Sequence, residues 1–169
     1  IFINEPRHTF EGLPEYQREN FNLAIQIMGF IKQTEIRREL ISKALNQLEK
    51  NTGYGKRMEL LERAPDMYLD VAHNDKGIQA SIEFAKKKTK GRLHVILGSA
   101  QDKIYEDLTI EQLLSTEISF CIFSNKRSKT KMDWMEFNTQ FKKEITIYPT
   151  IQDAILGVKR KLKEEDTLL

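Results

Sequence analysis

The chain has 169 residues, 40% of them hydrophobic and 31% charged, with a formal net charge of +2. Disordered chains carry fewer apolar residues and more net charge, so this is the composition of a folded globular chain of one domain or a little more. The small net charge argues against non-specific nucleic-acid binding. No apolar run approaches the roughly 18 residues that span a bilayer. The opening IFINEPRHTF lacks the basic-then-apolar order of a signal peptide. A single cysteine, Cys121, excludes an internal disulfide framework and a cysteine-rich zinc site. It fits a reducing compartment, and a cytoplasmic location is expected. Ile at position 1 and the closing run EEDTLL, a helix leading into the start of an apolar strand, read as the ends of a segment of a longer protein.

In chain order, residues 1–12 begin extended and pass into a loop with Pro6 and Gly12. A helix is expected over 15–31, because Phe21, Ala24, Ile25, Met28 and Ile31 fall on one helical face. A second is expected over 34–50, with Thr34 as N-cap and Ile36, Leu40, Ile41, Ala44, Leu45 and Leu48 in the same period. The segment NTGYGK at 51–56 is the clearest break, and the domain boundary is placed there, giving 1–50 and 51–169.

Beyond the break, strands are expected at 57–63, 67–72, 93–97, 118–123 and 145–148. Helices are expected at 76–89, 109–115, 132–141 and 151–165. Ile78, Ile82 and Ala85 face inward from the first of these helices. Thr109 with Gln112, and Thr150 with Asp153, read as capping patterns. Short apolar strands alternating with helices predict an α/β fold: a Rossmann-like three-layer domain with a mostly parallel sheet of about five to six strands, preceded by two helices. Ligands bind such sheets beyond the carboxyl ends of the strands. Here those ends carry Asp70–Asp75, Gly98–Lys103 and Ser124–Ser128, which should share one rim.

The common phosphate loops are missing. Gly55-Lys56 lacks a glycine five positions earlier and is followed by Arg57, so it is no Walker A loop, and Gly53-Tyr54-Gly55 lacks the last glycine of a dinucleotide fingerprint. There is no HExxH and no GxSxG. Asp70 at a strand end has the chemistry to accept ribose hydroxyls, and His73 to donate to a phosphate or carboxylate. On spacing alone the plainer reading, a loop capped by Asp70 and Asn74, stands ahead. Asp102-Lys103 reads as an anion site or as an exposed ion pair, and Arg57 as a phosphate ligand or a solvated side chain. The runs KKKTK at 86–90 and KRSKTK at 126–131 have no interleaved aromatics, as a helix end and a solvated loop do not need them. Cys121 reads as inert core, and Trp134 and Met135 as packing.

Several motifs then stand in one order. Gly55-Lys-Arg57-Met-Glu59, Leu69-Asp70-Val-Ala-His73-Asn74 and Gly98-Ser-Ala-Gln-Asp102-Lys103 follow Tyr16-Gln17-Arg-Glu-Asn20 and precede Ser124-Asn125-Lys-Arg127-Ser128. Together they resemble the C-terminal part of the folylpolyglutamate synthase/dihydrofolate synthase family, within the Mur ligase superfamily. That family shows Pro-Gly-Arg-x-Glu, Asp-Gly-Ala-His-Asn-Pro, Gly-x-x-x-Asp-Lys-Asp, His-Gln-x-x-Asn and Asn-Pro-Arg-Ala at the corresponding places. Among the departures from the pattern, Gly55, Lys56, Val71, Asp75 and Ile104 stand where the family has Pro, Gly, Gly, Pro and Asp. The family's final strand is expected to be cut short at Leu169.

The resemblance implies an ATP-dependent carboxylate–amine ligase acting through an acyl phosphate. Its substrates are glutamate and a folate or dihydropteroate, with Mg2+ held mostly by a central ATPase domain and no metal ligand in this stretch. Residues 1–50 then correspond to the end of that central domain plus a connecting helix. By matched position, Asn20 contacts adenine, Arg57 the phosphates and Asp70 the ribose, while His73 lies beside the phosphates. His73 and Lys103 take the catalytic roles, and Asn74, Asp102, Lys103 and Arg127 the substrate. No nucleic-acid or membrane partner is implied, and the stretch alone is expected to be inactive. Two other readings remain: a Mur-superfamily ligase for a different peptide acceptor, and a non-catalytic α/β binding module.

Overall fold

The structure, a computed structural model, describes residues 15–33, 36–47, 50 and 57–169. It divides into two compact units, Ile1–Met58 and Glu59–Leu169. The expected extended start, the Thr34 cap and the 51–56 break lie outside the described residues. None of the described helices is long and apolar enough to cross a membrane.

The first unit contains α1 (Glu15–Lys32) and α2 (Arg38–Asn46). Helix α1 has Glu15 in its first turn and Lys32 in its last, which suits the helix dipole. Gln33, with φ 50, follows as a left-handed terminating residue. The periodic apolar face is present, but its Met28 and Ile31 are 44% and 63% exposed. The buried residue of α1 is instead the polar Gln17.

The second unit is a six-stranded sheet in the order β1-β2-β6-β3-β4-β5. Its strands are β1 (Glu59–Glu62), β2 (Asp66–Leu69), β3 (Leu93–Leu97), β4 (Glu117–Cys121), β5 (Ile147–Tyr148) and β6 (Thr167–Leu168). Only the β1–β2 hairpin is antiparallel; every other pairing is parallel. The helices are α3 (Asp75–Lys88), α4 (Asp107–Leu114), α5 (Lys131–Gln140) and α6 (Ile151–Lys159).

In β4, Ile118, Ser119, Phe120 and Cys121 are all buried. Alternate residues of a strand face opposite sides, so both faces of this strand are covered, as a parallel sheet requires. Phe120 stacks on Trp134 of α5 with centroids 3.9 Å apart, and Phe137 meets both edge-on. Met135, read as packing, is 52% exposed. Ile78, Ile82 and Ala85 of α3 are buried as expected.

Three element readings change. The helix expected at 109–115 starts two residues earlier, from Glu106, which makes no side-chain cap. Thr109 is therefore inside the helix and fully buried, not a cap. The last helix ends at Lys159 rather than 165. The closing apolar residues Thr167–Leu168 already form a strand, and it lies in the middle of the sheet. The Thr130 and Thr150 side chains accept from Asp133 N and Asp153 N, capping α5 and α6.

The entry to β6 is held by Asp166, which is 4% exposed. Its carboxylate accepts the backbone N–H of Arg92 and of Lys163, both at 2.8 Å, and His94 Nε2 lies 3.6 Å away. The two N–H bonds hold the Asp166 carboxyl below its ordinary pKa against the opposing effect of burial. A depressed folded-state pKa gives stability that is present above the unfolded value and lost as pH falls through the folded one. Asp166→Ala leaves two N–H groups without their acceptor and should cost about 2–4 kcal/mol at neutral pH by denaturant titration. The gap to the parent chain should narrow on acidification; a constant gap speaks against the charge.

Candidate functional site at the carboxyl rim of the sheet

Strands β2, β3 and β4 end on the same side, and their following loops surround a cavity of about 660 Å³. Asp70, His73, Lys103, Tyr105, Asn125 and Arg127 are among its lining residues, with Gly98, Cys121 and Phe123. A Cβ on Gly98 would run into the Phe123 ring and the Cys121 sulfur, so the close approach of β3 to β4's end needs glycine there.

The first loop is self-braced. Asp70 Oδ1 accepts Ala72 N–H at 2.7 Å, an Asx-type turn. Asn74 Oδ1 accepts Gly77 N–H at 2.8 Å and caps α3. These are the two bonds of the plainer, structural reading, and they occur. They also hold Asp70 and His73 at the cavity. His73 Nδ1 lies 3.3 Å from Val71 O; with that nitrogen as donor, Nε2 is the acceptor of the neutral ring. Asn74 itself is not among the cavity's lining residues.

Asp75 ties this loop to the next element. Its Oδ1 accepts Glu106 N–H at 2.8 Å and the Thr109 hydroxyl at 2.6 Å, and Gln79 Nε2 donates to the same hydroxyl at 2.8 Å. Burial raises the Asp75 pKa, but these bonds, aided by Lys103, bring it below its ordinary value. One residue before Glu106, the Tyr105 hydroxyl donates to Ser99 Oγ at 2.6 Å. Burial pushes the Tyr105 pKa up, so it stays a neutral donor.

The second and third loops are joined along their backbones. Ala100 and Ser128 form an isolated antiparallel bridge. Gln101 N–H donates to Arg127 O at 2.7 Å, and Lys129 N–H to Ser99 O at 2.8 Å. Ser128 Oγ receives Phe123 N–H at 2.9 Å. Asp102 and Arg127 form a loose pair, 3.9 Å apart and 69% and 84% exposed, worth little in itself.

Of the residues singled out by sequence, Asp70, His73, Lys103 and Arg127 thus meet at one cavity. Asp102 stands beside Arg127, and Asn74 caps a helix. Asn20 and Arg57 belong to the first unit. There Asn20 is exposed on α1, and the buried Gln17 donates to Arg57 O at 3.4 Å. The tie between Asp75 and Thr109 was missed because the two lie 34 positions apart; the Tyr105–Ser99 and Ser128–Phe123 bonds are local, six and five positions apart, but form no motif of their own. Among the described residues no group of three or more His, Cys, Asp or Glu side chains is gathered to hold a metal.

Two outcomes follow. Asp75→Ala should lower stability by about 1–3 kcal/mol at neutral pH, the gap closing below the ordinary carboxylate range, read from paired melts. The Cys121 thiol is buried and pushed up to about 11. It should resist a thiol reagent at neutral pH until denaturant is added; fast labelling of the folded chain contradicts the packing described.

The Mur ligase, glutamate ligase domain model matches residues 56–169. A Bacillus subtilis dihydrofolate synthase/folylpolyglutamate synthase is 27% identical over 121 residues, covering 70% of this chain and 28% of that protein. The chain therefore spans little more than a quarter of the length of that curated relative. Mycobacterium tuberculosis folylpolyglutamate synthase complexed with ADP superposes with a TM-score of 0.67 at 16% identity, over 92% of this chain and 37% of that one. A bifunctional folylpolyglutamate synthase/dihydrofolate synthase with Mn, AMPPNP and L-glutamate bound gives 0.55 at 16% identity, over 67% and 27%. At these identities the two structures show a shared fold. The family model covers well over half of the sequence, and the chain belongs to the Mur ligase, glutamate ligase domain family.

Proposed function

We propose that this chain is the C-terminal part of an ATP-dependent amide ligase that joins glutamate to a folate-type carboxylate, as folylpolyglutamate synthase and, with dihydropteroate, as dihydrofolate synthase. The observation that carries the reading is the convergence of Asp70, His73, Lys103 and Arg127 on one cavity at the carboxyl rim of the sheet. The motif order and the B. subtilis relative support the same branch of the family.

In the proposed reaction the γ-phosphoryl group passes to the acceptor carboxylate and ADP departs. The glutamate amine then attacks the acyl carbon: a C–N bond forms, the C–O bond to phosphate breaks with its electron pair leaving on phosphate, and the amine loses a proton. Negative charge grows on phosphoryl and carbonyl oxygens, so the chemistry needs fixed cations and N–H donors. Asp70 is assigned to the ribose hydroxyls, since a carboxylate offers about four acceptor sites. His73 and Lys103 are assigned to the reacting anionic groups, and Asp102, Arg127 and Asn74 to the amino-acid side. Asn20 and Arg57 keep the adenine and phosphate roles on motif match alone. Mg2+ is assigned to the central ATPase domain on the family resemblance, and no step here depends on it.

Asp70→Ala in the ligase that contains this chain should raise the KM for ATP about tenfold with a smaller change in kcat, the loss of about two hydrogen bonds. An unchanged KM sinks the assignment. The 169-residue chain by itself should show no turnover, because its described residues provide no phosphate-cradling loop; turnover by the purified chain refutes the division of labour.

A further inference from the structure

Lys103 carries a charge that the proposed reaction needs, and its long flexible stem does not fix that charge by itself. The backbone around it is braced on both sides. On one side Ala100 bridges to Ser128, and Lys103 N–H donates to Ala100 O at 3.1 Å. On the other the Tyr105 hydroxyl returns to Ser99 Oγ at 2.6 Å, and Glu106 N–H reaches Asp75 Oδ1 at 2.8 Å. Lys103 stands in the middle of this stretch, half-buried and lining the cavity.

The three rim segments, Asp70–Asp75, Gly98–Lys103 and Ser124–Ser128, hold three carboxylates: Asp70, Asp75 and Asp102. Asp102 is exposed and lies 3.9 Å from Arg127. Asp70 lines the cavity, and its Oδ1 accepts the Ala72 N–H of its own turn. Asp75, in the first turn of α3, bonds into the stretch that carries Lys103. Its bonds to Glu106 N–H and to the Thr109 hydroxyl both fall on Oδ1. The charge of Lys103 is near enough to help hold this carboxyl below its ordinary value, and the attraction acts on the lysine in return. The chain departs from the family pattern at both ends of this contact. Asp75 stands where the pattern has Pro, and Ile104, 90% exposed, stands where the pattern has an acid next to the lysine. One carboxylate beside Lys103 is lost, and another comes in from a different element.

We propose that Asp75 is a positioning residue: its carboxylate sets the place of the Lys103 ammonium at the rim cavity, supplying from α3 the negative charge that position 104 lacks. This rests on the ligase reading above, which gives Lys103 its part in the reaction. Asp75 touches no substrate in this account and acts through the lysine.

Asp75→Asn keeps the acceptor oxygen and removes the charge, so it separates the two roles of the residue. In the 169-residue chain, carbon relaxation at the ε-methylene reads the order of the Lys103 side chain. The parent should show Lys103 more ordered than the exposed Lys126. Asp75→Asn should bring it to the Lys126 level, while the Glu106 amide keeps its protection from exchange. Thr109→Val, which removes one tie and leaves the carboxylate, should keep Lys103 ordered, and so should Asp70→Asn. Order that survives Asp75→Asn overturns the proposal, as does order lost equally with Thr109→Val or with Asp70→Asn. In the ligase that contains this chain, Asp75→Asn should lower kcat about fivefold, the scale of one partly exposed ion pair, with the KM for ATP unchanged. Lys103→Met should lower kcat about a hundredfold. Combined with Lys103→Met, Asp75→Asn should lower it no further, because its effect passes through the lysine; losses that multiply overturn the proposal. An enzyme that forms no glutamyl amide, yet orders Lys103 through Asp75, removes the ligase reading and not the contact. A glutamate ligase whose Lys103 ignores Asp75→Asn sinks this inference and leaves the ligase reading standing.

Discussion

A strand of two residues joins the two halves of the sheet. Thr167–Leu168 pairs with β2 on one side and β3 on the other. Without it the β1–β2 hairpin and the β3–β4–β5 layer share no ladder. Two residues make few backbone bonds, so the neighbouring polar groups secure the insertion. Thr167 N–H donates to Arg92 O and Leu169 N–H to His94 O, both at 2.9 Å, while Ile96 N–H donates to Leu169 O at 2.7 Å. The Asp166 carboxylate closes the entrance from below. On the apolar side, Leu168 packs in one cluster with Met67 and Val158, where burial of each aliphatic side chain contributes about 1.5–3 kcal/mol.

The carboxyl rim inherits its geometry from that insertion. Asp70 and His73 follow β2, whereas Lys103 and Arg127 follow β3 and β4. Their spacing is therefore set by the strand between them. Above the sheet, side-chain ties complete what the ladder begins. Asp75 holds the start of α3 to the start of α4, and Tyr105 holds the α4 approach to Ser99. Buried polar groups need partners; Asp75 finds its partners at the start of α4, and the Ser99 carbonyl accepts from Lys129 N–H in the loop after β4. The result is a rim in which charged side chains stand on a backbone that has little freedom to yield, the condition under which fixed charge acts on a ligand most strongly.

Much of this was legible in the residues. LHVIL at 93–97 is β3 without adjustment, because a short apolar run bounded by glycine has few alternatives. The three polar loops were placed on one rim from strand order alone, and Asp70, His73, Lys103 and Arg127 do line one cavity. What was not legible is long-range. Thr109 followed by Gln112 has the local form of a cap, yet its hydroxyl is spent on Asp75, 34 positions earlier. Asp75 looked like a lost proline and is a tie between helices. Gln17, in an amphipathic helix, is the buried residue because its amide reaches Arg57 O. Periodicity cannot see such pairs, since the signal lies in two distant segments and in neither alone.

The place of β6 also bears on how the molecule comes into being. Of the described strands, the one that joins the two halves of the sheet comes latest in the sequence. A nascent polypeptide that has emerged only as far as α6 can pair β3 with β4 and β5, and can close the β1–β2 hairpin. It must carry two open strand edges facing a strand-wide gap, the kind of surface that invites pairing with other chains. Thr167 and Leu168 fill the gap between β2 and β3, and so space the rim loops that follow those two strands. Sheet continuity and the spacing of the rim therefore depend on the same two residues.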